Sequence, residues 1–263
     1  MATQLDQILA RTLLTVMDRK RDANIPQLER QAAAHRPRGF TANLRRVASK
    51  GPAVIAELKR ASPSKGMLRD IYDPVEIAKG YESVGAAAIS VLTDEPFFKG
   101  SLEDLAKVSD AVGIPVLRKD FVIDPIQILE ARASGADAIL LIVAAHQDED
   151  LLSLATTARK LNLDVLCEVH DAEELKRAVG LGFDVIGVNS RDLKTLQVHP
   201  QRHEELIARM PANVIRVAES GIRNVEDVHR LLDAGFDAFL VGEALMRQPD
   251  PSAALALLLD TEV

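Results

Sequence analysis

One phrase constrains this chain more than any other feature. It recurs at Val84-Gly85-Ala86-Ala87-Ala88, Ser134-Gly135-Ala136-Asp137-Ala138, Leu181-Gly182-Phe183-Asp184-Val185 and Ala234-Gly235-Phe236-Asp237-Ala238. Each copy closes a helical pattern with a glycine suited to a left-handed cap, then enters a short apolar run. A reused αβ turn of this kind implies a chain assembled from repeated βα units.

The apolar runs predict strands at 53–58, 88–92, 115–117, 138–142, 164–168, 185–188, 214–218 and 238–241. Most are continuously apolar, as parallel strands covered on both faces must be. Amphipathic helices are predicted between or after them at 74–83, 102–111, 125–133, 149–161, 172–179, 225–233 and 251–258. Pro74, Pro125 and Pro251 each follow an Asp, the pairing of an N-cap acid with proline at the first helical position. Eight βα units point to a closed (β/α)8 TIM barrel. An open doubly wound sheet is the runner-up, but no GxGxxG or GxxxxGK[ST] loop accompanies these strands. Residues 1–263 read as a single domain, with 1–50 as an N-terminal helical extension. In that extension 4–20 is helical, and 36–50 is a second helical segment closing the barrel base.

Composition narrows the function classes. The 263 residues carry a net charge of −7, and the basic residues are scattered, which disfavours a nucleic-acid or membrane-surface partner. The longest apolar run, near 138–145, is too short to cross a bilayer, and residues 1–10 lack a basic leader. One cysteine, Cys167, forbids an intramolecular disulfide and fits a cytoplasmic location. Six dispersed His without HExxH spacing give no metal signature. No fused domain is expected, and the chain is expected to act as a monomer or weak homo-oligomer.

In a βα barrel, chemistry gathers at the C-terminal strand ends. The first strand ends Glu57-Leu58-Lys59, placing an acid and a base on one face. That pair reads equally as a structural ion pair and as functional groups. Lys119 ends the third strand, as a rim acid or a solvated basic turn. Glu168 ends the fifth, as a general base or a cap on the next helix. Cys167 reads as core, and His170 as structural or exposed. Asn189 ends the sixth, suited to orienting a substrate or to making a turn. Glu219-Ser220-Gly221 and Gly242-Glu243 end the seventh and eighth. Glycines there let backbone N–H groups approach a phosphate, aided by a helix N-terminus. Glu57, Lys59, Lys119, Glu168, Asn189 and Glu219 thus collect at one end of the strands, where neighbouring acids and amines shift one another's pKa.

The joined motifs resemble the indole-3-glycerol-phosphate synthase family. The matching segments are Ile55-Ala56-Glu57-Leu58-Lys59-Arg60-Ala61-Ser62-Pro63-Ser64-Lys65-Gly66, Ser90-Val91-Leu92-Thr93-Asp94, Leu117-Arg118-Lys119-Asp120-Phe121, Cys167-Glu168-Val169-His170, Gly187-Val188-Asn189-Ser190-Arg191-Asp192-Leu193, Val217-Ala218-Glu219-Ser220-Gly221-Ile222 and Leu240-Val241-Gly242-Glu243-Ala244-Leu245. They follow in family order from the first strand to the eighth. The resemblance implies a metal-free and cofactor-free conversion of 1-(2-carboxyphenylamino)-1-deoxyribulose 5-phosphate to indole-3-glycerol phosphate, CO2 and water, in tryptophan biosynthesis. The only partner it implies is that small phosphorylated, anthranilate-derived substrate.

By the same resemblance, Lys119 is the general acid of ring closure and Glu168 a catalytic carboxylate. Lys59 serves both binding and dehydration, and Glu57, Asn189, Glu219 and Ser220 complete the polar site. Lys59, Gly221, Gly242 and the backbone of Glu243 hold the phosphate, with Ser62, Ser64 and Arg191 among the binding residues. Phe98, Phe121, Leu140 and Leu193 line the aromatic pocket. The departures are Ile126 and Leu129, where the family commonly has aromatic residues. Phosphoribosylanthranilate isomerase is the nearest rival, but it places a catalytic Cys where this chain has Glu57 and Lys59. A non-catalytic phosphate-binding barrel is expected to lack Lys119 or Glu168, and both are present. Residues 62–67 are expected to form a mobile loop over the ligand.

Overall fold

A computed structural model describes residues 2–260; Met1 and residues 261–263, the ends of the expected 1–263 domain, lie outside the described residues. Eight parallel strands close a barrel: β1 Ala53–Leu58, β2 Ala88–Leu92, β3 Val116–Lys119, β4 Ala138–Ile142, β5 Asp164–Val169, β6 Val185–Asn189, β7 Ile215–Glu219 and β8 Ala238–Val241. Each pairs with its sequence neighbours, and β1 closes the ring on β8 through Ala53↔Ala238 to Ala56↔Val241. The open-sheet alternative is thereby excluded.

Alternation along the strands sorts two cores. Val54, Ala56, Ile89, Val91, Ile139, Leu141, Ile186, Val188 and Phe239 face outward and pack under the helices. Ile55, Leu117, Leu166 and Val217 belong to the interior cluster. They come from β1, β3, β5 and β7, the alternate-strand layering of a filled barrel. The next inward positions on the same four strands are Glu57, Lys119, Glu168 and Glu219. The topmost layer of the odd strands is therefore charged.

The glycines of the recurring phrase adopt the left-handed conformation it requires, with φ of 103° at Gly85, 83° at Gly135, 76° at Gly182 and 108° at Gly235. Asp73, Asp124 and Asp250 accept the first backbone N–H groups of α4 Pro74–Ser83, α7 Pro125–Ala133 and α13 Pro251–Leu258. Other barrel helices are α6 Leu102–Ala111, α8 Asp148–Lys160, α9 Ala172–Gly180 and α11 Val225–Ala234. Four α-helices among the described residues lie outside the sequence expectation: α2 Ile25–Ala34, the short α5 Glu95–Phe98 and α12 Glu243–Met246, and α10 Gln201–Ile207.

Several strands run past their expected ends. β3 was expected to stop at Leu117, where the sequence turns charged, yet Arg118 pairs in the ladder with Val91 and Ile139, and Lys119 with Leu92. Arg118 points outward and is fully buried. It pairs with Asp120 at 2.8 Å and Glu130 at 3.4 Å, and also bonds Thr93 and the Gln127 carbonyl. A satisfied guanidinium replaces the apolar residue that a covered strand ordinarily carries.

The extension comprises α1 Gln4–Asp22, α2 and α3 Phe40–Ala48. Phe40 and Leu44 of α3 are fully buried in the interior cluster. The Thr41 N–H bonds Asp164 at the start of β5, and the Asn43 side chain bonds the Ala87 carbonyl just before β2. The second segment thus closes the base, as expected, over a shorter span than 36–50. Arg38 clamps the buried Asp137 at 2.8 Å. Arg19 and Lys20, at the end of α1, reach Glu130 and Asp124 on and before α7.

Candidate active site

The rim opens into a pocket of about 890 Å3. Every site candidate named from the sequence lines it: Glu57, Lys59, Ser62, Ser64, Phe98, Lys119, Phe121, Leu140, Glu168, Asn189, Arg191, Leu193, Glu219, Ser220, Gly221, Gly242 and Glu243. Ile126 and Leu129 do not, which leaves the departures from the family pattern away from the site.

The Lys119 ammonium stands 3.7 Å from Glu57, 3.8 Å from Glu168 and 3.7 Å from Glu219. Lys59 pairs with Glu57 at 2.6 Å, an ion pair that lines the pocket. Two glycines make room for the acids. A Cβ at Gly187 would collide with the Glu219 carboxylate, and one at Gly242 with that of Glu57. Both Glu219 oxygens are buried without a hydrogen-bond partner among the described residues.

Electrostatics separates the three acids. Burial would raise the Glu57 pKa, but Lys59 and Lys119 outweigh it and lower it. Burial likewise opposes ionisation of Glu168, yet Lys119, His170 and Asn189 hold it as a carboxylate. Glu219 goes the other way: burial and the Glu168 charge push it well above the carboxylate range. Burial would lower the Lys119 pKa, but the three acids raise it. An ammonium therefore stands between two acids held toward the carboxylate and one pushed toward the neutral carboxyl, the divergence that acid and base roles require.

Beside this layer lies a wall of Phe98, Phe121, Leu140, Ile142 and Leu193. The Phe98 and Phe121 rings are 6.3 Å apart. Leu5 and Ile8 of α1 complete the wall. Sequence reasoning missed both; their i, i+3 spacing showed an apolar stripe but not what it covers. At the β7 end, Ser220 and Gly221 take φ of 64° and 76°. A non-glycine residue in that region is strained, and such strain concentrates at functional sites. Gly242 precedes α12 without a side-chain cap, leaving the helix start open to the pocket. Arg191 and Arg247 stand nearby, 3.2 Å and 3.6 Å from Glu243. At the pocket edge, Ala61–Ser62 and Gly66–Met67 form a short antiparallel ladder, an element not expected in the segment read as a mobile loop over the ligand.

Cys167 is fully buried on the outer face of β5. His170 is buried too, and contacts both Glu168 and Glu174.

A family model described as indole-3-glycerol phosphate synthase matches residues 5–258. Among relatives, an indole-3-glycerol phosphate synthase from Koribacter versatilis (strain Ellin345) is 54% identical over 98% of this chain and 100% of its own length. Another, from Mycolicibacterium vanbaalenii, is 49% identical over 97% of this chain and 93% of its own. Among solved structures, a thiamine phosphate pyrophosphorylase from Pyrococcus furiosus aligns with a TM-score of 0.60 at 18% identity, covering 81% of this chain and 95% of that one. At that identity the likeness concerns the barrel alone.

Proposed function

This chain belongs to the indole-3-glycerol phosphate synthase family, and we propose that its rim pocket closes the indole ring of 1-(2-carboxyphenylamino)-1-deoxyribulose 5-phosphate, releasing CO2 and water. The observation that carries this reading is Lys119 within 3.8 Å of Glu57, Glu168 and Glu219 at an apolar wall.

The phosphate is anchored at the β7–β8 ends, by the backbone about Gly221, Gly242 and Glu243, with Lys59 as counter-charge. Ser62, Ser64 and Arg191 border the same region and complete the binding set. The anthranilate ring lies against Phe98, Phe121, Leu140 and Leu193, with Leu5 and Ile8 closing its outer side. Holding both ends brings the aromatic carbon against the carbonyl, so the ring-forming step becomes intramolecular in a fixed geometry. Lys119 donates a proton to the carbonyl oxygen as the carbon–carbon bond forms. Loss of CO2 then returns its electron pair to the iminium-like ring. In dehydration a general acid protonates the leaving hydroxyl, and Glu168, held ionised, accepts the ring proton. Lys59, paired with Glu57, assists that step, while Asn189, Glu219 and Ser220 orient the hydroxyl-bearing chain. The wall offers the departing carboxylate no tight clamp, which avoids stabilising the ground state.

Action as a monomer or weak homo-oligomer in the cytoplasm belongs to the same reading. The single cysteine, buried and free, supports the location; no described helix is long and apolar enough to cross a membrane. The test is turnover. Chelator-dialysed protein given the substrate alone is expected to generate indole fluorescence; absence of product across pH and temperature contradicts the assignment.

A further inference from the structure

His170 follows β5 and is 7% exposed. Its Nε2 lies 3.2 Å from Glu168 Oε1, and its Nδ1 3.0 Å from Glu174 Oε2. The His170 backbone N–H also donates to Glu174 Oε2 at 2.8 Å, which fixes the outer carboxylate against the ring. A neutral imidazole has one N–H and one lone pair. With a carboxylate at each nitrogen, either neutral tautomer would leave an unprotonated nitrogen within 3.2 Å of a negative oxygen. Only the imidazolium suits both contacts. The Nε2 contact is an ion contact, without hydrogen-bond alignment, so it acts through charge.

We propose that His170 is a buried imidazolium that keeps Glu168 ionised and in place, making it a positioning residue for the base of the rim. This deepens the proposed function, since it assigns a support to one of its groups. The ring also lines a second cavity of about 330 Å3, which shares Leu5 and Leu193 with the main pocket. His170 and Glu174 thus line the second cavity, while Glu168 lines the main pocket. In direct contact it meets only the two carboxylates among the described charged groups. The second cavity is also lined by Asp171, Asp192, Lys194, Arg202, Glu205 and Arg209. Asp192 is tied to Arg202 at 2.9 Å, which balances one of those pairs. Burial would lower the His170 pKa, but Glu168 and Glu174 outweigh it and raise it to about 10.

The test does not depend on turnover. The His170 ring is followed by NMR in the wild type and in Glu174→Gln, and the Glu168 carboxyl by its 13C shift in the wild type, His170→Asn and His170→Gln. The ring is expected to stay protonated through neutral pH and to titrate lower in Glu174→Gln. Both His170 variants are expected to raise the Glu168 titration by about one to three units, the effect of deleting one close opposite charge. Both variants keep an amide donor without the charge, Gln reaching toward the Nε2 position and Asn toward the Nδ1 position, so their agreement assigns the effect to charge. The acidic limb of kcat/KM is expected to move up in parallel. A ring titrating near 6.5, or a Glu168 titration unmoved in both variants, overturns the proposal. Inactive wild-type protein with the expected titrations refutes the proposed reaction and leaves the imidazolium standing.

Discussion

At the scale of residues, the rim works because charge and space are matched. Gly187 on β6 lies under the Glu219 carboxylate, where a methyl group has no room. Gly187→Ala is expected to cost about 1–3 kcal/mol, as overpacking does. It should also lower kcat by on the order of tenfold or more, because displaced site groups lose their geometry. Chemical denaturation and steady-state kinetics read the two effects, and an unchanged kcat would separate Glu219 from the reaction. The polar strand ends were legible from sequence, since alternation fixes which side chain points inward. The clearance at Gly187 was not. It depends on the cross-strand register that sets Asn189 beside Glu219, which periodicity along one strand does not contain. His170 escaped for a similar reason: its partner Glu174 comes from a helix, and its burial from tertiary packing.

At the scale of elements, two features hold the Lys119 strand and the pocket wall. Arg118 joins β3 to α7 through Glu130, and Arg19 of α1 meets the same carboxylate at 3.3 Å. Arg118→Met leaves buried Asp120 without its cation and Glu130 with only the partly exposed Arg19, and is expected to cost about 3–5 kcal/mol in a denaturant titration. Arg19→Ala removes a partly exposed partner and is expected to cost at most about 1 kcal/mol. Equal costs would contradict this ordering. Ile8→Ala trims the α1 wall. It is expected to raise KM several-fold with a smaller change in kcat, because about 0.8 kcal/mol is lost per buried methylene. Most barrel helices were readable because an Asp-Pro start or a glycine stop accompanies an apolar stripe, while α8, with Gln147 before it and Asn162 after it, was readable from its stripe. Short α5, α10 and α12 carry less than three turns of pattern, and α10 lacks a side-chain N-cap, so packing on the barrel decides them. β3 was misjudged because a buried charged residue looks like a strand end until its partners are known.

At the scale of the whole molecule, the same charged layer links folding to pH. Glu57 and Glu168 are lowered from the ordinary 4.5, so their contribution is present above that value and lost as pH falls through their folded values. His170 is raised from 6.5 to about 10, so its contribution is complete below 6.5 and fades as pH climbs toward 10. Thermal melts are expected to decline between pH 7 and 10, and His170→Asn should lose part of that alkaline decline. An identical decline in the variant would contradict the linkage. The barrel and its rim were open to sequence reading, while the substrate came only through family motifs, since physics alone reads a phosphate anchor beside acid and base groups. The central claim is that Lys119, set among Glu57, Glu168 and Glu219, closes the ring. It is tested most directly by single turnover with wild type and Lys119→Met, following indole fluorescence and released CO2 together. The wild type is expected to yield one CO2 per indole. Lys119→Met is expected to bind substrate yet react about 10²–10⁴-fold more slowly, the range for losing a general acid. Near-wild-type turnover by Lys119→Met would contradict the account.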